Sequence, residues 1–164
     1  MNVTFIGAGE IGSALGRQVR AAGHKIAFWD KDPARVPDQK ALSEILPKAD
    51  VVFFCIPSWT MRGALMESRE FIPKKAIVVC LAKGLEKDSG KSMPELLAEL
   101  LPTGQLFALL AGPMLAEELD LGIGGVAVIA TATARGFKRI QKLFHPGHVR
   151  CEWSKHVQLT ALLS

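Results

Sequence analysis

Val3-Thr4-Phe5-Ile6-Gly7-Ala8-Gly9-Glu10-Ile11-Gly12 is the stretch whose reading decides the fold. A short β-branched and aromatic run enters a Gly-x-Gly-x-x-Gly turn, and apolar residues at helical spacing follow over Ile11–Ala22. A turn of this kind between a strand and a helix is built for a pyrophosphate. Gly7 permits the tight bend, Gly9 lets phosphate approach the backbone, and Gly12 lets the helix pack close to the strand. The helix start adds unpaired N–H groups and the positive end of its dipole. A glycine turn that binds nothing is the alternative, and the β–α–β setting weighs against it.

Outward from this turn, short strand-like runs alternate with longer helical ones. The strands are expected at Val3–Ile6, Lys25–Trp29, Val51–Ile56, Ala76–Leu81, Leu106–Leu110 and Val126–Ile129. The early ones are largely apolar, as in a parallel sheet covered on both faces. Helices are expected at Ile11–Ala22, Ala41–Leu46, Met61–Phe71, Ser92–Leu100 and Thr133–Leu143, with Thr131 as a turn or cap before the last. His145-Pro146-Gly147-His148 reads as a turn, Val149–Trp153 as a late strand and His156–Leu163 as the start of a helix. The alternation predicts one α/β domain over residues 1–164, with a doubly wound, mostly parallel sheet of the Rossmann type.

The second strand ends in Asp30, 18 residues beyond Gly12, where an acidic residue is expected to take the ribose 2′-hydroxyl. A carboxylate there repels a 2′-phosphate and favours NAD; Lys31 follows at once and would attract that phosphate, so NADP stays open. Asp30 opening a solvated turn with Lys31, Asp32 and Pro33 is the plainer reading. Pro57 stops the third strand at its carboxyl end, facing the same crevice. Trp59 or Met61 lies near the cofactor or in the core.

Composition narrows the class. Apolar residues make up 49% and charged residues 22%, ordinary for a soluble globular chain of this length. No apolar run reaches the roughly 18–20 residues that span a bilayer. Met1 leads straight into the first strand without a signal-peptide pattern, which gives the expectation of a cytoplasmic protein. Cys55, Cys80 and Cys151 read as thiols rather than a disulfide framework. The net charge of +4 suits an anionic ligand, but no basic stripe points to nucleic acid. His145, His148 and Cys151 lack zinc spacing, so no metal is expected. Glu117 and Glu118 read as a helix start, and Ser58 and Ser89 have no evident nucleophile partners.

Two further turns narrow the reading again: Leu81-Ala82-Lys83-Gly84-Leu85-Glu86 after the fourth strand, and Ala111-Gly112-Pro113-Met114-Leu115-Ala116-Glu117-Glu118 after the fifth. With the glycine turn and Ile56-Pro57-Ser58, they resemble the N-terminal domain of NAD(P)-dependent glycerol-3-phosphate dehydrogenases over essentially the whole chain. The resemblance implies hydride transfer between NAD(P)H and dihydroxyacetone phosphate or sn-glycerol 3-phosphate. It implies cofactor contacts at Glu10, Ile11, Lys31, Lys83 and Ala116, and substrate contacts at Lys83, Gly112 and Met114. Lys83 is the implied catalytic cation, since charge developing on a ketone oxygen is stabilised by a cation held in a dry cleft.

The chain departs from that family in three respects. Met114 stands where Ser or Asn is usual, and a thioether donates no hydrogen bond. Val157–Ser164 resembles the start of the helix bearing the family's principal catalytic lysine and places Ser164 at the lysine. The helical second domain that the resemblance implies is expected to be absent. The isolated chain is therefore expected to be inactive or weakly active, either as the domain of a longer enzyme or as a non-catalytic NAD(H)-binding module. An apolar surface left by a missing domain makes homo-oligomerisation an expectation. Another hydroxyacid- or imine-reducing family sharing the glycine turn is the third reading, disfavoured by the Lys83-Gly84 and Gly112-Pro113 turns.

Overall fold

The computed structural model describes residues 1–163. In chain order it holds β1 (Asn2–Ile6), α1 (Glu10–Ala21), β2 (Lys25–Trp29), α2 (Leu42–Ile45), β3 (Val51–Phe54), α3 (Met61–Ser68), β4 (Ile77–Cys80), α4 (Met93–Leu100), β5 (Phe107–Ala111), α5 (Ala116–Asp120), β6 (Gly125–Ala130), α6 (Ala134–Gln141), β7 (Val149–Ser154) and α7 (Val157–Leu163). The strands form one sheet in the order β2-β1-β3-β4-β5-β6-β7. This is the doubly wound, mostly parallel sheet that the sequence predicts. Pairing is parallel from β2 to β5, with Val3 opposite both Ile26 and Val51. β6 runs antiparallel to β5, and β7 is parallel to β6. The β5–β6 connection carries only the five-residue α5. Such a helix rises about 7.5 Å, under half the roughly 16 Å of a five-residue strand, so the chain does not travel back for a parallel crossover.

Strand alternation sorts the core into two layers. Ile6, Val52, Phe54, Val78 and Cys80 face α3 and α4, where Leu65, Leu96 and Leu97 meet them. Val3, Phe5, Val51, Phe53 and Val79 face α1 and α6, with Leu15, Val19 and Ile140. Phe5 and Phe53 stack with ring centroids 4.8 Å apart. α1 lies close on β2 because Gly16 has no side chain: a Cβ there would stand 2.2 Å from the Phe28 ring.

Several boundaries move from the expected ones, each for a local reason. β3 stops at Phe54, not Ile56: Cys55 still donates to the Ile6 carbonyl, but Pro57 ends the ladder. The helix expected at Ala41–Leu46 shortens to α2 and tightens into a 3₁₀ turn at Leu46–Lys48, where Pro47 interrupts α-helical bonding. Thr133, not Thr131, caps α6, accepting from the Gly136 N–H; buried Thr131 donates to the Phe107 carbonyl. Met61 is fully buried in the core, whereas Trp59 is exposed. α7 forms where a helix was expected and packs through Val157 and Ala161; Ser164 lies outside the described residues. Among the described residues no helix is long and apolar enough to cross a membrane.

Candidate functional site

The strand order reverses between β1 and β3, and the crevice beyond their carboxyl ends is where ligands bind in open α/β sheets. The glycine turn fills that position. Gly7 has φ +101° and donates to the Trp29 carbonyl at 2.8 Å, closing the bend against β2. A Cβ on Gly7 would stand 2.4 Å from the Cys55 carbonyl oxygen, and one on Gly12 would stand 2.3 Å from the Gly7 carbonyl oxygen. Both positions are filled by the protein's own backbone. Gly9 differs: a Cβ there meets only the tip of Arg35, at 3.3 Å. The space above Gly9, at the start of the twelve-residue α1, is thus left open to a ligand. Glu10 is exposed and Ile11 half-buried as α1 begins. Ser13 ties the turn by donating from its hydroxyl to the Ala8 carbonyl at 3.0 Å.

Asp30 sits at the end of β2 beside this turn. Its carboxylate accepts from the Ala8 N–H at 2.7 Å on one oxygen and from the Asp32 N–H at 2.9 Å on the other. Gln39 holds the Asp30 backbone from both sides, accepting its N–H at 2.8 Å and donating to its carbonyl at 2.9 Å. Sequence reasoning missed Gln39 and Arg35, because neither belongs to a motif and only folding of the 30–39 loop brings them to the turn. Lys31 is exposed next to Asp30.

The remaining predicted residues follow the same edge of the sheet. Pro57 is exposed after β3, Lys83 after β4, and Gly112, Met114 and Ala116 are half-buried after β5. A Cβ on Gly112 would stand 2.3 Å from the Val126 carbonyl oxygen, so this glycine is needed for the approach of β6. The Met114 side chain packs over Gly125. Lys83 is exposed just beyond the end of β4. Glu117 and Glu118 occupy the first turn of α5. His145 and His148 are exposed before β7, and burial lifts the half-buried Cys151 thiol to about 11.

The Lys83 turn is anchored a few residues along. Glu86 is buried and receives two hydrogen bonds from Arg62, at 2.6 and 2.8 Å, and a short one from Ser89. Arg62 also pairs with Glu99 at 2.9 Å, and Lys91 with Glu99 at 2.5 Å. Hydrogen bonds from Arg62 and Ser89 hold the Glu86 carboxyl below its ordinary range. Those from Arg62 and Lys91 take Glu99 down to about 2. Sequence reading named Glu86 only as part of its turn, because its partner Arg62 lies on α3, 24 residues away.

Comparison with known proteins gives the family. The profile described as NAD-dependent glycerol-3-phosphate dehydrogenase N-terminus matches residues 33–136. A glycerol-3-phosphate dehydrogenase [NAD(P)+] of Clostridium tetani is 27% identical over 90% of this chain and 48% of its own length. That of Corynebacterium glutamicum is 30% identical over 86% of this chain and 49% of its own length. The chain thus spans about half the length of these curated relatives. The crystal structure of the Coxiella burnetii glycerol-3-phosphate dehydrogenase superposes with a TM-score of 0.84 at 21% identity, covering 94% of this chain and 54% of that one.

Proposed function

Because this chain belongs to the NAD-dependent glycerol-3-phosphate dehydrogenase family, matching its N-terminal domain, we propose that it holds NAD(H) or NADP(H) for hydride exchange between dihydroxyacetone phosphate and sn-glycerol 3-phosphate. The observation that carries the reading is the open position over Gly9 at the start of α1, beside two glycines closed by the protein's own backbone. That arrangement fits a pyrophosphate. Bound dinucleotide supplies the hydride. In this reading Gly7, Gly9 and Gly12 shape the cradle, Glu10 and Ile11 flank it, and Asp30 and Lys31 meet the adenosine side. Pro57 and Ala116 line the cofactor track, with Gly112 and Met114 on the substrate side. Lys83 contacts cofactor and phosphorylated substrate and stabilises charge on the reacting oxygen. Assignment of the whole chain to one domain, a cytoplasmic location and self-association belong to the same proposal. Exposed Leu159 and Leu162 on α7 are the motive for the last.

A second reading, a non-catalytic NAD(H)-binding module, is favoured by the donor-less thioether at Met114. Calorimetric titration of the purified chain with NADH and with NADPH tests the shared premise. Saturable binding that a folded Gly9→Val variant loses supports the site, and absence of binding to either cofactor overturns it. Turnover of dihydroxyacetone phosphate with reduced cofactor by the same chain eliminates the second reading.

A further inference from the structure

We propose that a second cleft, at the amino ends of β1 and β2, binds a small phosphorylated organic molecule. It goes beyond the proposed function and does not depend on it, because the dinucleotide crevice lies at the opposite, carboxyl ends of the same strands. The five residues of β1 separate the two by about 16 Å. The cleft, about 520 Å³, lies between these strand ends and the segment of α2 and the 3₁₀ turn after it. Its floor follows from strand alternation: Ile6 faces α3 and α4, so Thr4 and Asn2 lie on that same side of the sheet. The register sets Lys25 beside Asn2 and Ala27 beside Thr4. Lys40, Glu44, Ile45 and Lys48 form the wall. The Asn2 side-chain amide donates to the Lys48 carbonyl at 3.0 Å and ties the wall to β1.

Two independent features point to a ligand. Thr4 is only 2% exposed and lines the cleft, yet its hydroxyl has no hydrogen-bond partner among the described residues. A hydroxyl withdrawn from bulk water and left unpaired is costly, and a ligand in the cleft would pair it. The second feature is charge. Lys25, Lys40 and Lys48 are exposed around the cleft, and none has a carboxylate partner among the described residues. Against these three ammonium groups the lining offers one carboxylate, Glu44, which accepts from the Ala41 N–H at 3.3 Å. Asp50, at the start of β3, is half-buried and its carboxylate accepts from the Asn2 N–H at 2.9 Å. A phosphomonoester carries about −1.5 to −2 at neutral pH and three acceptor oxygens, and lysine serves it as a point charge. The cleft's volume lies within the roughly 300–1,000 Å³ of small-molecule sites. Ala27 and Ile45 offer apolar contact to a carbon skeleton, while Thr4 and the Asn2 side-chain oxygen meet its hydroxyls.

The test is titration of the ¹⁵N-labelled full chain with glucose 6-phosphate, glucose and inorganic phosphate, read by amide chemical shifts and by calorimetry. Expected is saturable binding of glucose 6-phosphate, at least about tenfold tighter than either control, with shifts centred on Thr4, Ala27 and Ile45. The double variant Lys40→Gln/Lys48→Gln weakens it at least about tenfold, and Lys40→Arg/Lys48→Arg restores it. Thr4→Val weakens it about threefold with little change in side-chain volume. Glu44→Gln keeps an acceptor for the Ala41 N–H, removes the opposing charge and tightens binding. No saturable binding by about 10 mM, inorganic phosphate binding as tightly as glucose 6-phosphate, shifts confined to Gly9–Ile11, or a double glutamine variant that binds like the parent each overturns the inference. All four leave the dinucleotide reading standing, which NADH titration tests separately. Unfolding curves of the variants matching the parent exclude misfolding as the cause of any loss.

Discussion

Gly9 and Gly12 stand three residues apart in one turn, yet replacing each by alanine has different consequences. At Gly12 the new methyl carbon would stand 2.3 Å from the Gly7 carbonyl oxygen and 3.1 Å from the Cys55 Cβ. The first distance is about 1 Å inside the roughly 3.3 Å at which carbon and carbonyl oxygen ordinarily touch. Backbone lies on the other side, so α1 must lift off β1. Overpacking costs about 1–3 kcal/mol, and a clash with backbone rather than a movable side chain puts this site at about 2–3 kcal/mol; alanine returns about 1 kcal/mol through helix propensity. Net destabilisation is therefore about 1–2 kcal/mol, and at roughly 2–4 °C per kcal/mol for this size the melting temperature falls by about 2–8 °C. Lifting the helix start also pulls its N–H groups from the cradle, so NADPH affinity falls at least tenfold. At Gly9 the methyl meets only the movable tip of Arg35, at 3.3 Å. Gly9→Ala should leave the melting temperature nearly unchanged, within the few tenths to 1 kcal/mol of an altered N-cap, and still weaken NADPH at least tenfold by occupying the pyrophosphate's place. Differential scanning calorimetry and isothermal titration on the same preparations read both effects. A Gly12→Ala protein that melts with the parent refutes the packing argument, and a Gly9→Ala protein with parental affinity refutes the site.

The Arg62–Glu86–Glu99 network predicts a defined acid response. Folded carboxyls held below their ordinary range stabilise the protein above about pH 4.5 and lose that contribution as pH falls toward the value of about 2 at Glu99. Arg62→Ala removes the cause, so its deficit in melting temperature should be largest near neutrality and shrink at pH 3; a pH-independent deficit contradicts the assignment. In the core, Phe53→Ala removes a fully buried ring stacked on Phe5 and should cost about 3–5 kcal/mol, read as an earlier denaturant midpoint. A shift under 1 kcal/mol would mean that the stack is not tightly packed. Burial pushes the thiols up, Cys80 to about 12 and Cys55 further still. Iodoacetamide at pH 8 should spare both in the folded protein and modify them in urea, with mass spectrometry of the peptides as the readout.

Much of this architecture was legible because its causes are local. The run from Val3 to Gly12 specifies strand, turn and helix from neighbouring residues alone, and the apolar strands at Val51 and Ile77 announce a sheet covered on both faces. Boundaries were less legible where a proline redirects the chain, as at Pro47 and Pro57. The cap of α6 shifted from Thr131 to Thr133 because both are threonines before a helix, and only burial distinguishes them. Lys83 was legible as a turn residue, but its exposure depends on what covers the crevice, which no local pattern records.

The sequence by itself determined the phosphate turn, the alternation that makes the sheet parallel, and the family resemblance, since each is carried by spacing along the chain. Tertiary structure alone decided that Asp30 is bound to Ala8 across 22 residues, that Glu86 is anchored by Arg62 across 24, and that Arg62 reaches Glu99 across 37. It also brought Lys25, Lys40 and Lys48 to one cleft. Hydrogen bonds and ion pairs act over a few ångströms in space, and the order of residues along a chain does not fix which ones a folded sheet brings within that distance.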